Sequence, residues 1–459
     1  MNLLLAILSG AFLSGAFAPM SLWWLAPLGI AIHMYSLKYC ARPFLNSFIF
    51  GLTFNAIALN WTSIFVGSTP WLILAVGQSL FFIPLGLSRR ISLSSYPLIF
   101  LILEQVRSIF PFGGFGWLRI AYSQSDAPYR QIAAIGGAVA LSAIVLCVAL
   151  VLTAVFSKRF LISPILPLLL LLIPVQMQAI GEIKTLMVQG DVPQLGLDFN
   201  SRAKAVFANH VAETRKALAI NSDVDFILWP ENAVDVDPFT NIDVERELDS
   251  FSQPLIIGAV IRNQERLLNT SILWGADSRT IYVKRHLTPF GEYIPLRALS
   301  EKISRLSSSV EDFSPGDSSP EFAIGAAKIA PIICFELIDD GLLAEAAAAA
   351  NIFVVQTNSA TFGVSAQSAQ QLGISRIRAI EHGRNTLSVS TTGISAAIDH
   401  QGNIVQRTQS HRPAHLFTTT QLLEGQTPRD RAGDWAQVGS FIWLVRVASS
   451  RRRLKVHRR

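Results

Sequence analysis

The chain has 459 residues, 51% of them hydrophobic and 15% charged, and its mean hydropathy is +0.40. That balance is too apolar for an ordinary soluble enzyme and makes a membrane protein the expectation. The formal charge of +6 matches the six Lys/Arg of the tail "RRRLKVHRR", so the rest is near neutral and no nucleic-acid partner is expected.

In chain order, the first 180 residues hold two acidic residues, Glu104 and Asp126, among nine Lys/Arg, and the other thirty carboxylates lie beyond. This break, near residue 181, divides the chain. The first part falls into apolar runs at about 2–18, 21–37, 44–66, 70–88, 93–110, 131–156 and 160–178. Most approach the ~20 residues that cross a bilayer as a helix. Basic residues follow every second run: Lys38 and Arg42, Arg89 and Arg90, Lys158 and Arg159. Lys and Arg in short loops stay cytoplasmic, which places Met1 inside and delivers the chain outside near Glu182. The first run lacks the basic flank of a signal peptide and reads as a retained helix. A last run, "WAQVGSFIWLVRVASS", carries Arg446 and leads into the basic tail as an inside anchor. The expected organisation is a bundle of about seven transmembrane helices over 1–181, an extracytoplasmic domain over 182–430, and a final helix with a cytoplasmic tail over 431–459.

The segment 182–430 reads differently. Short β-rich runs recur ("TLMVQG", "DFILWP", "PLIIGAVI", "TIYVKR", "IAPIICFE", "IFVVQTN", "LSVST"), and "SAAIDHQGNIV" has the turn chemistry of a hairpin. Helical patterns lie between them, at 201–220 and 366–383. Apolar strands alternating with helices predict an α/β layered sandwich with buried sheets. The stretch 306–320 reads as a loop, and 293–306 as an amphipathic helix that either packs or lies on a bilayer surface.

Three of these strands finish on a reactive group: Glu231, Lys284 and Cys334. Taken singly, each has an ordinary reading as a turn carboxylate, a solvated strand end and a small buried hydrophobe. Cys40 and Cys147 lie in the apolar part, so Cys334 has no cysteine partner in its own domain. A carboxylate with a raised pKa takes the proton of a thiol, and an ammonium beside them stabilises first the thiolate and then an oxyanion. Glu, Lys and Cys thus make an acyl-transfer set; a Cys–His arrangement using His286 or His382 is the competitor. Clustered His/Cys ligands are missing, and "GGFG" at 113–116 lacks the context of a dinucleotide loop, so neither metal nor cofactor is expected.

"WPENA", "YVKRHLTPFGEYIPL" and "ICFEL" resemble the three signature segments of the carbon–nitrogen hydrolase (nitrilase) superfamily. With "VQGDVPQ", "EQVRSIFPFGGFGWLRIAYSQ" and "RIRAIEHGR", the chain resembles its membrane branch, the apolipoprotein N-acyltransferases, over nearly its whole length. The resemblance implies an αββα sandwich outside a helical bundle, in a monomeric multi-pass enzyme of the bacterial plasma membrane. It implies Glu231 as general base, Lys284 as oxyanion stabiliser and Cys334 as nucleophile, with Glu292 orienting Lys284 and Glu336 as a further supporting carboxylate. It implies a phospholipid as acyl donor and a diacylglyceryl-cysteine lipoprotein as acceptor, joined through a thioester. The family often has a tyrosine where this chain has Phe335, an aromatic where it has Thr361, and a tryptophan where Phe199 is the nearest aromatic. Two other classes remain: a tethered amidase or nitrilase that uses water, and a transporter or scaffold. A transporter would carry several buried ionisable groups, whereas here only Glu104 and Arg107 qualify, three apart on one helix face and expected to pair.

Overall fold

Strands and helices alternate from residue 178 onward because continuous apolar β-branched runs are punctuated by amphipathic segments, and parallel neighbours need a crossover between them. The computed structural model describes residues 2–156, 163–197, 203–275, 279–303, 310–319, 321–440 and 442. It divides into two compact units, Met1–Val175 with Thr427–Arg459, and Gln176–Gln426.

The first unit is helical. Its helices are α1 (Asn2–Gly15), α2 (Leu25–Tyr39), α3 (Pro43–Ala58), α4 (Ser68–Leu80), α5 (Leu87–Ile91), α6 (Tyr96–Ile109) and α7 (Ala133–Phe156). These are shorter than the apolar runs that contain them, since turns break the runs: 44–66 leaves the α-helix after Ala58, and the chain reverses at Gly67, whose φ is +84°. Among the described residues, two stretches are long and apolar enough to cross a membrane, Ser68–Ile91 and Arg130–Phe156; Asn2–Gly15 and Pro43–Ala58 are apolar but shorter. Glu104 and Arg107, expected to pair, each hold backbone of the segment that follows α6. Ile120 N donates to Glu104 Oε1 at 2.7 Å, and Arg107 Nη2 donates to the Leu118 carbonyl at 2.7 Å. Lys158, Arg159, Phe199, Arg446, the basic tail and most of the last apolar run lie outside the described residues.

The second unit holds two six-stranded mixed sheets. Its strands are β1 (Gln178–Gln189), β2 (Phe226–Leu228), β3 (Leu255–Asn263), β4 (Arg266–Trp274), β5 (Arg279–Val283), β6 (Phe322–Ile324), β7 (Ala327–Ile333), β8 (Ile352–Thr357), β9 (Thr386–Ser390), β10 (Ala396–Ile398), β11 (Ile404–Arg407) and β12 (Ala414–Glu424). The orders are β12-β1-β2-β3-β4-β5 and β11-β10-β9-β8-β7-β6. In each sheet the parallel pairs sit together, β1-β2-β3 and β7-β8-β9. Helices make those crossovers: α8 (Ala205–Leu218) and α9 (Ile242–Asp249) in the first, α11 (Asp340–Ala349) and α12 (Gln367–His382) in the second. A further helix, α10 (Arg297–Ile303), falls in the stretch read as amphipathic.

The sheets pack face to face through Met187, Phe226, Leu228, Ile256 and Leu273 of one and Ile329, Ile333, Val354, Leu387 and Val389 of the other. Outside the first sheet, Phe207 and Ala217 of α8 and Val244 and Leu248 of α9 cover Ile227, Ile257 and Trp229. Outside the second, Leu372 and Ala379 of α12 cover Ala396 and Ile398. The layers run helix, sheet, sheet, helix, and the hairpin read in "SAAIDHQGNIV" is the antiparallel pair β10–β11.

Candidate active site

The carboxyl ends of parallel strands are where α/β folds expose reactive groups, since the chain must turn there before its crossover helix begins. Glu231 follows β2, Lys284 follows β5 and Cys334 follows β7. All three, far apart in sequence, meet in one buried cluster.

Each is held by backbone geometry. At the end of β2, Trp229 N donates to the Ile256 carbonyl (2.8 Å) and Val234 N to that of Gly258 (3.1 Å), so the turn carrying Glu231 lies against β3. Gly258 has no Cβ for a steric reason: one built there would stand 2.4 Å from the Pro230 carbonyl oxygen and 2.6 Å from Glu231 Cα. Lys284 N donates to Asn269 O and its own carbonyl accepts from Gly316 N, each at 2.9 Å. Cys334 has φ +51°, a left-handed conformation that non-glycine residues avoid and that is retained only where surroundings enforce it. Glu336 is the enforcing group: fully buried, it accepts Ile333 N (2.7 Å) on one oxygen and Arg285 N (2.7 Å) and Tyr282 Oη (2.8 Å) on the other. It thus ties the turn after β7 to the end of β5. Glu336 anchors the backbone of Cys334 through bonds that go to Ile333 N, Arg285 N and Tyr282.

The side chains form a chain of contacts. Lys284, 1% exposed, has its Nζ 2.9 Å from Glu292 Oε1 and 3.5 Å from Glu231 Oε1. Asn269 Nδ2 bridges the carboxylates, donating to Glu231 Oε1 at 2.9 Å and to Glu292 Oε1 at 2.6 Å. Thr288 N donates to Glu292 Oε2 at 2.7 Å. Glu231 lies close enough to the Cys334 thiol for each to shift the other's proton affinity, and Gln371 Nε2 lies 3.5 Å from the sulfur.

Electrostatics divides the two carboxylates. Burial pushes Glu231 up, and Glu292 adds to the rise; Lys284 and Asn269 offset only part of it. Burial also opposes the ionised form of Glu292, but Lys284 and the donors from Thr288 and Asn269 outweigh it and hold Glu292 below the usual carboxylate range. Lys284 would be pulled down by burial, yet Glu292 and Glu231 together raise it, so it stays an ammonium. The Cys334 thiol is pushed up to about 12 by burial and by Glu231, against the pull of Lys284 and Gln371. The thiol thus holds its proton firmly beside a carboxyl group of raised basicity, with the Lys284–Glu292 ion pair next to them. That arrangement supports proton transfer coupled to nucleophilic attack.

His286 Nδ1 bonds Asp339 Oδ2 at 2.8 Å and its ring meets Phe335 edge-on, while His382 packs against Phe353. Phe335 fills the place where the family often has a tyrosine, and Thr361 lies in the 3-10 turn Ala360–Phe362. Asn269 and Gln371 were not singled out by sequence reasoning. The signal for Asn269 was a polar residue amid the apolar pattern of "RLLNTSILW"; for Gln371 it was weaker, one glutamine beside Gln367 and Gln370 in the first turns of α12.

Known proteins share both halves of the chain. Residues 200–436 match the family model of the carbon–nitrogen hydrolases and residues 9–151 that of the apolipoprotein N-acyltransferase N-terminal domain. The apolipoprotein N-acyltransferase of Mycolicibacterium smegmatis is 32% identical over 96% of this chain and 84% of its own length. That of Geobacter metallireducens is 30% identical over 98% and 95%, and that of Azotobacter vinelandii 29% over 98% and 95%. Among solved structures, yeast Nit3 of the nitrilase superfamily covers 53% of this chain and 91% of its own, at 16% identity and a TM-score of 0.40. XC1258 of Xanthomonas campestris covers 52% and 90%, at 15% and 0.39. The second unit is thus a carbon–nitrogen hydrolase domain. With its matching N-terminal part and these full-length relatives, the chain belongs to the apolipoprotein N-acyltransferase family.

Proposed function

We propose that the chain transfers an acyl group from a phospholipid to the N-terminal amine of a diacylglyceryl-cysteine lipoprotein, through a thioester on Cys334. Family membership supports the reaction class. The observation that carries the site assignment is the Lys284 ammonium 3.5 Å from Glu231, with the Cys334 thiol near enough for Lys284 and Glu231 both to act on its charge.

In the first half-reaction Glu231 takes the thiol proton as sulfur attacks the ester carbonyl. Lys284, held by Glu292, faces the charge that develops on the carbonyl oxygen, an effect that amounts to roughly 3–4 kcal/mol for one well-placed donor. The ester C–O bond breaks, and the leaving oxygen takes the proton from Glu231 as the lysophospholipid departs. In the second, the neutral α-amine attacks the thioester, its proton passes through Glu231 to the sulfur, and the C–S bond breaks.

Both substrates carry acyl chains, which supports placing residues 1–181 and 431–459 in the bacterial plasma membrane as a multi-pass bundle and 182–430 outside it. The stretches Ser68–Ile91 and Arg130–Phe156 have the length and composition for two of the crossings.

The test is the covalent intermediate. Incubated with phospholipid and no acceptor amine, the enzyme should gain one acyl chain by intact mass, released by neutral hydroxylamine and absent in Cys334→Ala. Adding a diacylglyceryl lipopeptide should move the label to its α-amine. Label released as free acid instead would make the protein a hydrolase, and transfer by Cys334→Ala would remove Cys334 as nucleophile.

A further inference from the structure

We infer that Gln371, oriented by Gln367, is a catalytic residue that donates an N–H to the Cys334 sulfur and stabilises it as a thiolate both when it attacks and when it leaves. The inference rests on the reading of Cys334 as the nucleophile given above.

Gln371 Nε2 lies 3.5 Å from Sγ, within N–H···S range. A glutamine amide has one donating and one accepting end. The accepting end is taken, since Gln367 Nε2 donates to Gln371 Oε1 at 3.0 Å, which turns the donating end toward the sulfur. The two glutamines are four apart on α12, hence on one helix face, and both are almost fully buried, at 1% and 3% exposure. Helix and nucleophile turn are also fastened together. Arg378 of α12 donates through Nε to the Leu337 carbonyl at 2.8 Å and through Nη2 to Asp340 Oδ1 at 2.7 Å, with Glu381 on its remaining nitrogen. The amide therefore approaches the sulfur from a fixed element.

The charges around Cys334 explain the need for this donor. Glu231 comes from the turn after β2, Glu292 from the loop after β5, and Lys284 from the end of β5; Glu336, on the cysteine's own turn, is engaged by backbone amides and Tyr282. Two carboxylates oppose a sulfur anion and one ammonium favours it. Lys284 is in turn drawn to Glu292 and must face the carbonyl oxygen during attack. A neutral donor on α12 stabilises the anion without adding a charge that would compete for Glu231. As Glu231 removes the proton, the S–H bond breaks and its electron pair stays on sulfur, which then accepts the N–H strongly. A neutral thioester sulfur accepts it weakly, and when the amine expels the thiolate the bond strengthens again.

The experiment follows alkylation of Cys334 by iodoacetamide against pH in the full-length protein, read by mass on the peptide that contains it. Gln371→Leu is expected to shift the profile about one pH unit alkaline, a roughly tenfold slower alkylation at fixed pH below the midpoint. Gln371→Glu, with the same length but a negative acceptor, should shift it further. Gln367→Leu leaves Gln371 in place but unoriented and should shift it in the same direction by less; it also keeps the test open if Gln371→Leu fails to fold. Profiles that superimpose on the unsubstituted protein for both Gln367→Leu and Gln371→Glu overturn the inference. If the unsubstituted protein itself carries no acyl group on Cys334, the nucleophile reading falls; if it does and only the profiles fail to move, this inference alone falls.

Discussion

Glu231 and Glu336 are both buried carboxylates near one cysteine, and substitution by glutamine separates what each does. Glu231→Gln removes the proton acceptor and leaves an amide of similar size beside Lys284 and Asn269. Acylation of Cys334 should become undetectable while the protein still folds, as read by single-turnover acyl transfer and melting temperature. Glu336→Gln puts an N–H where Ile333 N or the donors from Arg285 and Tyr282 require an acceptor. A buried donor without a partner costs about 1–3 kcal/mol, so the melting temperature should fall and turnover weaken by less than in Glu231→Gln. Equal, partial losses at both positions would deny Glu231 its role as base.

The direction of the Glu231 shift also sets a pH dependence. In the role proposed for it Glu231 must be unprotonated, and its pKa is raised, so acylation should be lost as pH falls through a value above the ordinary carboxylate figure of about 4.3. Because Glu231 and Glu292 share Asn269 and Lys284, the limb reports the cluster rather than one group. Asn269→Leu removes a donor that favours the ionised form, so its acid limb should move to still higher pH. A limb that stays put or moves down would mean that Asn269 does not tune the base.

At the scale of elements, the site depends on how closely the turn after β2 approaches β3. Gly258→Ala would place a methyl 2.4 Å from the Pro230 carbonyl oxygen and 2.6 Å from Glu231 Cα, both backbone atoms that yield only by moving the turn. Misplacing a catalytic group by about 1 Å lowers rates on the order of 100-fold. Acyl transfer in Gly258→Ala should therefore drop by roughly that factor; iodoacetamide labelling of Cys334 should still report an intact second sheet. Activity within a factor of two of the unsubstituted protein would show that the turn accommodates the methyl and that its approach does not set the geometry. This dependence was not legible in "PLIIGAVI", where the glycine reads as one small residue in a buried strand. The strands themselves were legible, because a short apolar β-branched run that stops at a charged or nucleophilic group fits a buried strand better than it fits a helix. The contacts that unite them were not: Asn269, Gln371 and Gly258 act through distances across the sheets, and sequence spacing carries no information about those. Helix ends in the first unit were not legible for a related reason, since hydropathy locates apolar segments but the turns at Gly67 and after Ala58 decide where a helix stops.

For the whole molecule, the proposed sidedness rests on the cost of moving Lys and Arg across a bilayer. Basic residues follow alternate apolar runs, at Lys38 and Arg42, at Arg89 and Arg90, and at Lys158 and Arg159, and the proposal puts those loops in the cytoplasm and residue 182 on the opposite side. The carbon–nitrogen hydrolase domain would then lie outside, and six Lys/Arg in the last nine residues would hold the end of the chain inside. Reporters fused after Gln426 and after Arg459 test both statements at once: alkaline phosphatase, active only outside the cytoplasm, should work at the first position and fail at the second, and a cytoplasmic fluorescent reporter should do the reverse. The same result at both positions would mean that the run "WAQVGSFIWLVRVASS" does not cross, and Arg446 would then be at the surface rather than within a membrane helix. The opposite pattern would place Cys334 on the cytoplasmic side and overturn the proposed placement of residues 182–430 outside the membrane.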